Sequence, residues 1–151
     1  QHQLAAVMGH EVGHVLGRHG AERVSAGTAS QILVQGAQGW ANASPDSRMR
    51  AMAAMGVGIG AQLGQLKYGR THESESDEIG VMLMARAGFD PRESVTLWQN
   101  MARASGGQAP PEFLSTHPSG TTRIARLERV MPQAMAEYER ARAAGRRPNC
   151  R

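Results

Sequence analysis

The segment His10-Glu11-Val12-Gly13-His14 places two imidazoles at positions i and i+4. On a helix these positions differ by about 40° around the axis and one turn along it, so both rings project from one face and can share one metal ion. Glu11 points beside the pair, where a carboxylate can take a proton from a metal-activated water. Neutral imidazoles, no redox demand and an open position for water suit zinc. The plain alternative is two helix-face histidines with an ordinary Glu between them. The flanks argue against it. Val7, Val12 and Val15 are expected to bury this helix, and Gly9 and Gly13 thin it locally. A close-packed helix with two histidines needs something for them to bind.

A third ligand decides the class. The motif continues to Gly17, but a second zinc-protease pattern that requires His at position 20 meets Gly20 there, and His19 comes one residue early. That slip turns the side chain by about 100°, so His19 reads as a helix-end residue where a cation suits the dipole. The better candidate is Glu73, in Arg70-Thr71-His72-Glu73-Ser74-Glu75-Ser76-Asp77. Glu73 and Asp77 are again i and i+4. Glu73 can complete a two-His, one-Glu site, and Asp77 can accept the free N–H of a ligand histidine and raise its basicity. Gly80 permits close approach to the first helix. His72 is a rival ligand, Glu75 points elsewhere, and a solvated acidic face is the bland reading of these carboxylates.

A later element is Ser115-Thr116-His117-Pro118. Pro118 pushes His117 into an extended conformation. From there it can donate to a tetrahedral oxyanion or occupy the fourth zinc position at rest. Arg123 can pair with Asp77 or bind substrate. A loop His and a surface Arg explain the same spacing.

These residues need helices to position them, and the hydrophobic periodicity supplies four or five. Residues 3–18 form the first and 21–40 a second amphipathic candidate. An Asn42-to-Asp46 turn follows, then a Gly-rich helix over 47–67 and a clearer one over 71–87. Gly88 suits the C′ position, with Phe89 folding back on the last turn. Asp90-Pro91-Arg92-Glu93 reads as N-cap, N1 Pro and N3 Glu of a helix that carries Val95, Leu97, Trp98 and Met101 inward and stops near Gly106. Residues 105–118 read as loop. Ser119 can cap a last helix, which Pro132 kinks or ends, and the tail from Gly145 frays. No strand is expected, and the fold class is mainly α.

The 151 residues suggest one domain. Apolar residues make up 40% but aromatics only 4%, so small and flexible side chains must pack close helix contacts. The net charge of +4 is mild and no basic block carries interleaved aromatics, which argues against nucleic acid. One cysteine, Cys150, excludes a disulfide framework and a cysteine-built zinc finger. The uncharged, Gly-rich run Ala51 to Leu66 is too short and polar to span a membrane.

Together, His10-Glu11-Val12-Gly13-His14, Glu73-Ser74-Glu75-Ser76-Asp77 and His117-Pro118 with Arg123 resemble a family of zinc metalloproteases. It includes HtpX and the type-I CAAX prenyl protease, and the likeness is strongest to its soluble periplasmic branch of BepA and LoiP. Arg70 and Gly80 fit as well. Ser76 stands where many members have Ala. The resemblance implies a zincin-type (gluzincin) helical core as one catalytic domain over 1–151, truncated at its N-terminus, with the family's upstream strand segment missing. It implies one Zn2+ on His10, His14 and Glu73, with Glu11 as general base and Asp77 behind the ligands. His117 would stabilise the transition state or gate the zinc, and Arg123 would support the site. The implied substrates are polypeptides, in particular misfolded or misassembled envelope proteins. The implied location is the bacterial periplasm or cell envelope, with outer-membrane association through the missing N-terminus.

Two other functions fit the same residues. One is a zinc-bound but proteolytically silent, self-gated chaperone or binding module. The other is a structural helical domain without metal, for which chelators leave the melting temperature unchanged.

Overall fold

The computed structural model describes residues 1–43, 47–104 and 121–150. Among them all regular structure is helical: α1 (His2–Leu16), α2 (His19–Asn42), α3 (Ser47–Arg86), α4 (Arg92–Ala104) and α5 (Thr121–Ala143). The chain forms two compact units, one of residues 1–17 and 72–151, the other of residues 18–71. The mainly α expectation holds. The two helices expected over 47–67 and 71–87 are a single helix of 40 residues, because the glycines that lower helix propensity do not interrupt the backbone ladder.

In the first unit α4 packs against α1 and α5. Its core joins Ala6, Val81, Met84, Ala85, Trp98, Leu127 and Ala134. The closest approach is backbone to backbone. A Cβ on Gly9 would lie 2.7 Å from the Gly80 carbonyl oxygen, and one on Gly13 would lie 2.6 Å from that of Ser76. Only glycine allows α1 this close to the second half of α3.

That contact corrects one expectation. Val12 and Val15 do not bury α1; they are 42% and 75% exposed. The buried face consists of Ala6, Gly9, His10 and Gly13. The small residues are the ones that fit against another backbone, and the large apolar ones lie on the opposite side of the wheel.

Helix ends follow local chemistry. Gly88 has φ 87°, its N–H donates to the Ala85 carbonyl, and the Phe89 N–H donates to that of Met84, both at 2.9 Å. This is a Schellman stop with its apolar contact. Asp90 accepts the Arg92 backbone N–H at 3.0 Å and so caps α4. The chain leaves α1 through Arg18 in the left-handed region (φ 56°). His19 therefore opens α2 instead of closing α1, at the end of a helix dipole that disfavours a cation. Pro132 stays inside α5, which continues to Ala143. The tail does not fray: Gln1 Nε2 donates to the Pro148 carbonyl at 3.2 Å, and the Cys150 N–H donates to Gln1 Oε1 at 2.9 Å.

In the second unit, α2 and the first half of α3 bury Ala41 and Ala54 and leave many larger apolar side chains exposed. Tyr68 Oη donates to Glu22 Oε2 at 2.8 Å, and the Arg50 guanidinium lies 5.0 Å over the Trp40 ring.

Candidate metal centre

All described site residues lie in the first unit. Helix α1 presents His10, buried, and His14, partly buried; α3 presents Glu73 and Asp77, both buried. Three donor atoms converge. His10 Nε2 lies 3.1 Å from His14 Nε2 and 3.3 Å from Glu73 Oε2, and His14 Nε2 lies 3.2 Å from Glu73 Oε1. Among the described residues, these three form the group whose ligand atoms could hold a metal ion. His72, the rival, is buried outside that group, and Glu75 is exposed.

The residues fit zinc on their own chemistry. A tetrahedral ion about 2.0–2.1 Å from each donor separates the donors by about 3.3 Å, close to the spacings found. His10 Nδ1 donates to Asp77 Oδ1 at 2.8 Å. A carboxylate there fixes the tautomer and turns the Nε2 lone pair toward His14 and Glu73. Two imidazole nitrogens and a carboxylate facing one point form an electron-rich set that a cation satisfies.

Arg123 closes the centre from α5. Its Nε donates to Asp77 Oδ2 at 2.6 Å, Nη2 to Asp77 Oδ1 at 2.7 Å, and Nη1 to Glu73 Oε2 at 3.1 Å. The arginine is 4% exposed, so these bonds act away from water, where they are strong and hard to replace. One guanidinium against two carboxylates leaves one negative charge, which suits a dication. Of the two roles open to Arg123 in the sequence, the structure places it on Asp77.

In the sequence, the spacing of Trp98 on α4 marks it as a core residue. The structure places its ring under both partners. The Arg123 guanidinium carbon lies 3.8 Å from the ring centroid, and the His10 ring meets it edge-on at 5.8 Å. A Trp on an apolar helix face looks the same whether it fills a core or backs a cation, so the sequence held no separate signal.

The carboxylate cluster also acts on His10. Burial pushes its imidazole pKa down, but the hydrogen bonds with Asp77 and Glu73 outweigh burial and hold it above the ordinary value of 6.5. Glu11 lies on the exposed side of α1, about 60° around the helix from His14. His117 and its neighbours from Ser115 to Ser119 lie outside the described residues.

A family model described as peptidase family M48 matches residues 1–131. The mitochondrial metalloendopeptidase OMA1 of Saccharomyces cerevisiae is 35% identical over 149 residues, covering 91% of this chain and 39% of that protein. The metalloendopeptidase OMA1 of Bos taurus is 37% identical, covering 89% and 27%. The beta-barrel assembly-enhancing protease of Escherichia coli strain K12 is 36% identical, covering 91% and 30%. The chain thus spans well under half the length of these relatives. No solved structure matches it.

Proposed function

The chain belongs to peptidase family M48, and on that premise we propose that it carries the catalytic domain of a zinc-dependent endopeptidase, with 1–151 acting as one domain. The observation that carries this reading is the set of three donor atoms 3.1–3.3 Å apart, backed by Asp77 and Arg123. His10, His14 and Glu73 would hold one Zn2+ per chain. Bound zinc acidifies water and polarises a scissile carbonyl.

The remaining chemistry belongs to the chain's own groups. Glu11 takes the proton of the attacking water and delivers it to the leaving amine nitrogen, as the new C–O bond forms and the C–N bond breaks. Asp77 holds the His10 tautomer through catalysis, and Arg123 holds Asp77 and Glu73. His117 is assigned from sequence alone, as oxyanion donor or resting zinc ligand. The names of the relatives support polypeptide substrates. The bacterial relative's role in beta-barrel assembly supports misassembled envelope proteins as those substrates and the periplasm or envelope as the place. Among the described residues no helix is long and apolar enough to cross a membrane.

Elemental analysis of chain purified without added zinc tests the metal, with one zinc per chain expected. Glu11→Gln tests the mechanism: zinc stays bound while peptide hydrolysis falls by about 10²–10⁴-fold. Normal hydrolysis in that variant would falsify the general-base role. His117→Ala separates the two His117 roles, since faster hydrolysis marks a gate and slower hydrolysis an oxyanion donor.

A further inference from the structure

The unit of residues 18–71 holds six basic residues, Arg18, Arg23, Arg48, Arg50, Lys67 and Arg70, against the acidic Glu22 and Asp46. Its net +4 equals that of the whole chain, so the rest of the molecule is neutral. The charges fall in three clusters, at 18–23, 46–50 and 67–70, and 51–66 contains none.

Ala54 is buried, but the larger apolar side chains on and beside this stretch are exposed. Met49, Met52, Ile59, Leu63 and Leu66 are 81%, 66%, 53%, 60% and 53% exposed. Their spacing of three, seven, four and three places them on one stripe of α3, about 26 Å long at 1.5 Å per residue. Lys67 and Arg70 continue the stripe at one end. Trp40 stands half-exposed at the other, beside Arg50.

We propose that this unit is a peripheral contact for an anionic lipid surface, with the α3 stripe lying in the interface plane. An apolar stripe flanked by basic residues and an aromatic has the pattern of a helix that lies on a bilayer. The helix is not apolar enough to cross one. Two weak signals, apolar burial and charge attraction, then combine where neither alone anchors a protein. A second copy of the chain would bring two net-positive units together. A nucleic acid would use the arginines and leave the methionines and leucines in water. The proposal is independent of the metal centre.

The test is sedimentation of the full chain with vesicles of phosphatidylcholine alone and of phosphatidylcholine with one-quarter phosphatidylglycerol. Binding is expected to the anionic vesicles only, and to weaken as salt rises from about 0.1 M to about 1 M and the screening length falls from about 10 to about 3 Å. The Arg48→Gln/Lys67→Gln pair should weaken binding by roughly 25-fold, about fivefold per cation. Met52→Gln/Ile59→Gln/Leu63→Gln should weaken it by roughly a hundredfold. All these side chains are exposed, and an unchanged helical circular dichroism spectrum checks the fold. Brominated anionic lipid should quench Trp40 and spare Trp98, which is 3% exposed; this readout on the unaltered chain stands even if a variant misfolds. Absence of binding to anionic vesicles, equal binding to neutral ones, or full binding by the triple variant overturns the proposal. So does self-association, or capture of an unfolded polypeptide or an RNA, that the triple variant abolishes in a chain that ignores vesicles.

Discussion

Arg123 spends three nitrogens on two carboxylates and its π-face on Trp98. Removing it leaves Asp77 and Glu73 buried beside each other with one positive partner fewer. Arg123→Leu should therefore destabilise the metal-free chain by about 3–5 kcal/mol, the usual penalty for orphaning a buried charge. Bound zinc should recover part of that loss, because it supplies positive charge at Glu73. Asp77→Asn is milder in packing but disturbs the His10 tautomer, and should weaken zinc binding about 10–100-fold in a chelator competition. His10 adds a pH signature. Its folded pKa lies above the ordinary value of 6.5, so its contribution to metal-free stability is complete below that value and is lost as pH rises through the folded pKa. Zinc needs the neutral ring, so its affinity rises over the same interval. The melting temperature without zinc should fall as pH rises above 6.5 while the zinc-induced increment grows; an increment that shrinks with pH would show that His10 is not a ligand.

At the scale of elements, two helices meet at Gly9, Gly13 and Gly80 with no room for a methyl group. Gly13→Ala should push α1 from α3, cost about 1–3 kcal/mol as overpacking does, and loosen zinc by separating His14 from Glu73. Gly60 and Gly64 lie on the same α3, and a Cβ on either would meet nothing within 4 Å. Ala there should raise stability by about 0.5–1 kcal/mol, so the thermal shifts of the two kinds of variant should have opposite signs. This contrast explains how much of the structure was legible in the sequence. Helical spacing alone brought His10 toward His14 and Glu73 toward Asp77, and the glycines announced the close contact. The outward turn of Val12 and Val15 was not legible, because side-chain size suggests burial while the fit between two backbones favours the small residues. The continuity of α3 through its glycines was also hidden, since local propensity weighs against it. Trp98 behind Arg123, and Gln1 on the Cys150 backbone, join residues far apart in sequence and carry no local signal.

For the whole molecule, the consequence is that the metal acts on one unit. The donors come from α1 and the second half of α3, and α5 supplies Arg123, so these three elements are joined through one centre. A ligand that binds only the folded state stabilises it by mass action, about 4 kcal/mol when present at a thousand times its dissociation constant. For a chain of this size that corresponds to a rise in melting temperature of about 10 °C, reversed by chelation. The protection should be local. Hydrogen exchange with and without zinc should slow amides in 1–17 and 72–150, most in α1 and around Glu73, and leave α2 and the first half of α3 nearly unchanged, because the described residues of 18–71 contribute no donor to the centre. Equal slowing across 18–71 would mean that the two units open together and that the chain unfolds as one cooperative body. Slowing confined to the first unit would mean that the hairpin opens on its own, and that its surface stays available for binding whether or not the metal is in place.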